Sequence, residues 1–129
     1  MKVTVCVEKA GEKNCSCFVE EDLGLVGLCG YGATVDSAVE DLLVARQESI
    51  EEGYDIPELE MTFKYDLWAF FDKFPMNATL VAKQIGINAS LMRQYIAGQK
   101  QPSKKRVEQI QEGIRNIGKQ LSDISLARY

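Results

Sequence analysis

The chain has 129 residues, which suffices for one ordinary domain or two very small ones. A hydrophobic fraction of 46% and a charged fraction of 26% are typical of a globular protein and exclude a disordered tail. The net charge is −4, no apolar run reaches the roughly 20 residues of a membrane span, and the start lacks the apolar core of a signal peptide. We therefore expect a cytoplasmic protein without a membrane partner.

The charge is divided unevenly along the chain. Residues 1–62 contain four bases against fourteen acids, a net charge of −10, whereas residues 63–129 contain eleven bases against five acids, a net charge of +6. Such asymmetry predicts two modules with different partners. The basic half can attract phosphate and the acidic half suits a basic protein surface. The alternative is a solvated surface with uneven charge.

The acidic half is predicted to fold as a small α+β unit. Val3, Val5 and Val7 alternate with polar residues, which is the period of a half-buried strand. Thr34 is a good N-cap, and the residues after it form an apolar stripe typical of a helix packed on a sheet. The predicted elements are strands at 3–8, 15–20, 26–31 and 59–65, with a helix between Thr34 and Gly53 before the last strand. This β-β-β-α-β order predicts a sheet with one face covered by one helix.

The basic half is predicted to be all-α. Each predicted helix follows a residue whose side chain can accept a hydrogen bond from the first turn. The caps are Asp66 for LWAFFDKF, Asn77 for ATLVAKQI, Asn88 for ASLMRQYIA and Ser103 for a helix ending near Asp123. The sequence therefore places domains at 1–64 and 65–129.

The last predicted helix carries apolar residues at alternating steps of three and four. They are Val107, Ile110, Ile114, Ile117, Leu121 and Ile124. The seam covers only about two and a half heptads. We expect it chiefly to close the core of the helical domain, with dimerisation as a second role.

Within residues 78–97 the small Ala82 lies four residues after Ala78, and Gly86 lies four residues after Ala82. This spacing resembles the helix-turn-helix of the Cro and phage-repressor class, in which Ala82 is then the fifth position and Gly86 the ninth, where the turn requires a left-handed backbone. Val81, Ile85, Ile87, Met92 and Tyr95 then occupy the buried positions. The resemblance implies operator binding as a dimer. A helical hairpin that never touches DNA is the alternative, since apolar periodicity reports only burial.

The residues outside that apolar pattern favour DNA binding. Arginine and amide side chains can bond to base edges, helix N-termini can meet phosphates, and lysines attract the backbone independently of sequence. The candidate DNA-binding residues are Asn77, Asn88, Ser90, Arg93, Gln94, Lys100, Lys104 and Lys105.

A glycine-rich stretch precedes the predicted helix of the acidic half, with Gly27-Leu28-Cys29 followed by Gly32-Ala33-Thr34-Val35-Asp36-Ser37-Ala38. This stretch resembles the N-terminal domain of HicB-type antitoxins, a family that usually has glutamate in place of Ser37. The resemblance implies a truncated ribonuclease H-like fold without catalysis, an antitoxin that neutralises a HicA-like RNA-cleaving toxin, and repression of its own operon. The candidate toxin-facing residues are Glu20, Glu21, Asp22, Glu40, Asp41 and Glu48.

Two other chemistries receive little support from the sequence. A metal-dependent nuclease needs converging carboxylates, including one in the first strand, where this chain has Val3, Thr4, Val5 and Cys6. The four cysteines include no C-x-x-C pair, and the chain has no histidine to complete a zinc site or to activate a thiol. We expect no catalytic residues, metal or cofactor. The remaining alternative is a stand-alone repressor whose N-terminal domain dimerises or senses a ligand, and we expect a homodimer or a higher homo-oligomer.

Overall fold

A computed structural model describes residues 1–128 of the chain. Over these residues the protein is α+β, with one four-stranded mixed sheet and five helices. The chain divides into two compact units, the first comprising Met1–Pro75 and the second beginning at Met76. We call them unit 1 and unit 2.

The elements follow one another in the predicted order. They are β1 (Lys2–Ala10), β2 (Asn14–Val19), β3 (Cys29–Gly32), α1 (Val35–Glu51), β4 (Glu60–Tyr65), α2 (Leu67–Lys73), α3 (Ala78–Ile85), α4 (Ala89–Ile96) and α5 (Lys104–Ser122). The strand order across the sheet is β3-β2-β1-β4. β2 is antiparallel to both β1 and β3, whereas β4 is parallel to β1.

One face of the sheet forms the core of unit 1. The alternation that predicted β1 places Val3, Val5 and Val7 on that face, where none is more than 2% exposed. α1 packs on the same face and buries Val35, Ala38 and Leu42. The opposite face remains half-buried or exposed, as expected of a sheet covered on one side only.

The start of α1 is fixed by two short side chains. The Thr34 hydroxyl accepts a hydrogen bond from the Ser37 backbone N–H at 3.1 Å, and the Ser37 hydroxyl accepts one from the Thr34 N–H at 3.0 Å. This reciprocal arrangement is a capping box. Ser37 therefore performs here the capping role for which glutamate is well suited.

The structure moves the predicted boundary after residue 64 to a point after Pro75. α2 packs in unit 1, because the Asp72 carboxylate accepts from the Val35 N–H at 2.8 Å and Lys73 pairs with Asp36 at 2.5 Å. Both contacts join α2 to the first turn of α1. The sequence pattern predicted that α2 is a helix, but it did not predict that α2 packs against α1.

The third strand lies slightly later than predicted. Residues 26–28 belong to the connection before β3, which begins at Cys29. Asp22 accepts from the Gly24 N–H at 2.8 Å, and Gly24 has a positive φ of 88°. Leu28, in the same connection, is buried, and its carbonyl accepts from the Val19 N–H at 3.1 Å.

Unit 2 has its own small core. The buried side chains are Val81, Ala82, Ile87, Met92, Ile110 and Ile117, while Ile85 and Tyr95, also predicted to be buried, are half-buried. The seam of α5 thus closes this core through its central residues, which confirms its principal expected role. Val107 at one end of the seam is exposed, and so are Leu121 and Ile124 at the other end.

Candidate nucleic-acid and protein interfaces

The turn between α3 and α4 is set by one glycine. Gly86 has φ 88° and ψ 30°, a left-handed conformation that side chains disfavour. Its N–H and that of Ile87 both donate to the Ala82 carbonyl at 2.9 Å. Ala82 itself is fully buried. The left-handed backbone at Gly86 and the burial of Ala82 are the two local features that the spacing predicted.

Asn77 and Asn88 lie at the starts of α3 and α4, as predicted. The Asn77 side-chain oxygen accepts from the Leu80 N–H at 3.1 Å. The Asn88 oxygen accepts from the Ser90 and Leu91 N–H groups at 2.9 and 3.2 Å. Both oxygens are therefore occupied in capping, and it is their amide N–H groups that could donate to a ligand.

Three of the candidate residues, Ser90, Arg93 and Gln94, belong to α4. Ser90 and Arg93 are exposed, and Gln94 is half-buried. The Arg93 guanidinium donates to the Thr79 hydroxyl on α3 at 3.3 Å. This contact brings polar groups from both helices to one surface.

The candidate lysines lie beyond α4. Lys100 is exposed, and its N–H donates at 3.3 Å to the Gln94 carbonyl, so the turn folds back on α4. Lys104 and Lys105 are exposed in the first turn of α5, which Ser103 caps through the Arg106 N–H at 3.2 Å. These lysines were predicted from their charge alone. The structure shows in addition that the backbone of Lys100 is hydrogen-bonded to α4.

Two exposed residues of α3, Thr79 and Lys83, are not among the predicted DNA-binding residues. Thr79 contacts Arg93, and Lys83 lies four residues later, so both belong to one face of α3. Their four-residue spacing was a usable signal, but only the structure shows that Thr79 contacts α4.

The charge division persists when it is counted by structural unit. Residues 1–75 hold six bases against sixteen acids, a net charge of −10. Residues 76–129 hold nine bases against three acids, a net charge of +6. The first part of the chain is therefore acidic and the second part basic, whether residues 63–75 are counted with one or with the other.

The predicted acidic residues after β2 are partly used inside the fold. Both Glu21 carboxylate oxygens accept from the Thr4 N–H, at 2.6 and 2.8 Å. Asp22 holds the Gly24 turn. The Glu20 carboxylate accepts from the Cys6 thiol at 2.7 Å, and burial together with this acid raises the pKa of Cys6 to about 11.

The acids of α1 fall into two groups. Asp41 accepts from the Tyr31 N–H at 2.9 Å and so fastens α1 to β3. Glu40 and Glu48 are exposed on the helix.

Glu21 contacts β1 and Asp41 contacts β3, and β2 lies between those strands. The six predicted acids are therefore spread over unit 1.

The four cysteines are distributed over the sheet. Cys15 and Cys17 face the core and are at most 1% exposed, whereas Cys6 pairs with Phe18 on the other face and Cys29 is exposed. The Cys17 thiol donates to the Ala38 carbonyl at 3.2 Å. Burial raises the pKa of both Cys15 and Cys17 to about 11, so these thiols are protonated near neutral pH.

None of the helices within residues 1–128 is both long and apolar enough to cross a membrane. Comparisons with family models, with characterised proteins and with solved structures found no match to the chain.

Proposed function

We propose that the chain is a cytoplasmic antitoxin of the HicB type, whose unit 2 binds operator DNA and whose unit 1 binds a HicA-like toxin. The observation that carries the proposal is the separation of charge between two compact units, −10 in one and +6 in the other. A polyanion and a basic protein are natural partners for such a pair. No catalytic step is part of the proposal.

The DNA-binding role is supported by α3, the Gly86 turn and α4, which we interpret as a helix-turn-helix. In such motifs the second helix enters the major groove and the first crosses the backbone. Ser90, Arg93 and Gln94 on α4 would then face base edges. Thr79, joined to Arg93, would meet phosphate or orient that arginine.

The toxin-binding role is supported by the resemblance to the HicB N-terminal domain. Unit 1 has the β-β-β-α-β order expected from that resemblance. The Thr34–Ser37 capping box lies within the sequence stretch on which the resemblance rests. We interpret unit 1 as a truncated ribonuclease H-like fold. Glu40 and Glu48, exposed on α1, are the acids best placed to meet a basic protein.

A stand-alone repressor is the second candidate. The observation that favours it is the internal use of Glu21, Asp22 and Asp41, because acids bonded within the fold are less available to a toxin. In that case unit 1 would serve dimerisation or ligand sensing, and unit 2 would still bind DNA.

Two measurements test the proposal. A fragment of the gene's own promoter should be retarded by the wild-type chain in a gel, and no retardation would count against autoregulation. We expect a small basic protein to be encoded beside the gene, and co-expression of that protein with this chain should yield a complex on affinity purification. DNA binding without such a complex would favour the stand-alone repressor.

A further inference from the structure

The outer edge of β4 is unpaired in the part of the chain that the structure describes. β4 is the last strand of the sheet and hydrogen-bonds only with β1. The Glu60 N–H donates to the Met1 carbonyl, just before β1, at 2.8 Å, and the Asp66 N–H donates to the Val7 carbonyl of β1 at 3.0 Å, so even-numbered backbone groups face β1. Backbone groups alternate along a strand, and those of Met61, Phe63 and Tyr65 therefore point outward.

Apolar surface lies along that edge. Phe63 is 40% exposed although its side chain belongs to the core face. It stacks on Tyr65 with ring centroids 6.2 Å apart, and Phe74 meets Tyr65 edge-on at 5.8 Å. Phe74 is 38% exposed. An unpaired strand bordered by exposed aromatic rings is a ready template for pairing with another strand.

We propose that β4 pairs antiparallel with β4 of a second copy, about a two-fold axis at Thr62. This register places Glu60 opposite Lys64 of the second copy, and Lys64 opposite its Glu60. Met61 lies opposite Phe63 of the second copy, and these residues carry the outward-pointing backbone groups. Thr62 faces its own counterpart. Backbone, charges and apolar side chains are thus complementary in one register.

Other two-fold registers fit less well. An axis at Phe63 would place Glu60 opposite Asp66 of the second copy, which juxtaposes like charges. An axis at Met61 would pair only Glu60–Thr62 within the strand. A two-fold axis between two residues would place a residue whose backbone groups point outward opposite a residue whose backbone groups point inward. No ladder of hydrogen bonds between the two strands could then form.

Lysine on an edge strand often serves to prevent pairing. In β4, however, Glu60 lies four residues before Lys64 and carries the opposite charge, so the lysine of one copy can face the glutamate of the other. The intramolecular partner of Lys64 is Glu20 at 4.0 Å, with the lysine side chain 72% exposed. So long and exposed a contact leaves Lys64 able to pair with a second copy.

This dimer does not depend on the toxin or on DNA. It would form one continuous sheet across two copies and present two copies of unit 2, which suits a near-palindromic operator. The competing dimer surface is on unit 2, where Leu121 and Ile124 are 56% and 59% exposed.

Charge substitution tests the register. The full-length wild type should sediment as a dimer without DNA, and Glu60→Lys should raise its dissociation constant by at least about tenfold, because lysines then face lysines. Adding Lys64→Glu to that variant should restore the dimer. Glu12→Lys, the same change in the β1–β2 turn, is the control. A monomeric wild type, or failure of the double variant to restore the dimer, would overturn the proposal.

Cross-linking tests the axis independently of charge. In a Cys6→Ser, Cys29→Ser background, Thr62→Cys should form a disulfide between copies under mild oxidation, because residues opposite one another in a non-hydrogen-bonded pair approach closely. Glu58→Cys, outside the strand, should not. A dimer that survives Glu60→Lys, dissociates on Leu121→Glu and does not cross-link at residue 62 would assign dimerisation to α5 and overturn the β4 pairing.

Discussion

Gly30 of β3 and Ala38 of α1 are in direct backbone contact. A Cβ added at Gly30 would lie 2.2 Å from the Ala38 carbonyl oxygen and 2.5 Å from the Leu42 nitrogen. Helix and strand can approach this closely only because residue 30 has no side chain. The same Ala38 carbonyl accepts the Cys17 thiol, so one point of α1 is fixed to two strands.

Gly30→Ala should destabilise unit 1 strongly. The added methyl group meets helix backbone, which cannot rotate away, so we expect a loss of roughly 3 kcal/mol, the upper part of the overpacking range. Gly27→Ala is the control, because nothing lies within 4 Å of its added Cβ. It should change stability by less than about 0.5 kcal/mol in urea unfolding. Equal effects of the two variants would refute the close packing.

Two glycines of α5 should respond oppositely to alanine. At Gly118 no atom lies within 4 Å of an added Cβ, so Gly118→Ala should stabilise unit 2 by up to about 1 kcal/mol through helix propensity. At Gly113 the Cβ would lie 2.4 Å from Ile85 Cγ1. Gly113→Ala should therefore cost about 1 kcal/mol or more. Thermal unfolding followed by helical circular dichroism distinguishes them, and stabilisation by both would contradict the α3–α5 packing.

Stability should fall as pH rises from about 9 to about 11. The folded state keeps Cys15 and Cys17 protonated up to about 11, whereas unfolded thiols ionise near 9. Between these values the unfolded state binds fewer protons, so rising pH favours unfolding. Urea midpoints under reducing conditions should decline less steeply for Cys17→Ala than for the wild type. A wild-type slope in Cys17→Ala would show that this buried thiol does not contribute to the pH dependence.

Arg93→Ala should weaken promoter binding. If Arg93 contacts a base, its loss should weaken binding by about 1–3 kcal/mol and relax specificity at that base. If Arg93 contacts a phosphate, its loss should lower the slope of log affinity against log salt concentration by about one. Arg115→Ala removes the same charge from an exposed position on α5 and is the control. Equal losses from both variants at several salt concentrations would show that only overall charge matters.

Local features were predictable from the sequence, and long-range partners were not. Thr34, Asp66 and Asn77 were identified as caps because capping depends on residues two or three positions away. The placement of α2 depends on Asp72 reaching Val35, thirty-seven positions earlier, which no periodicity encodes. The open edge of β4 likewise emerges only from strand order.

Rescue of growth tests the central claim, that the acidic unit neutralises a basic toxin, most directly. The protein encoded beside the gene is expressed alone and then together with this chain, while growth and messenger RNA integrity are followed. The account predicts arrest with RNA cleavage in the first case and restored growth in the second, weakened by Glu40→Lys with Glu48→Lys. Persistent arrest in the presence of folded, abundant chain, or a neighbouring protein that causes no arrest, would contradict it.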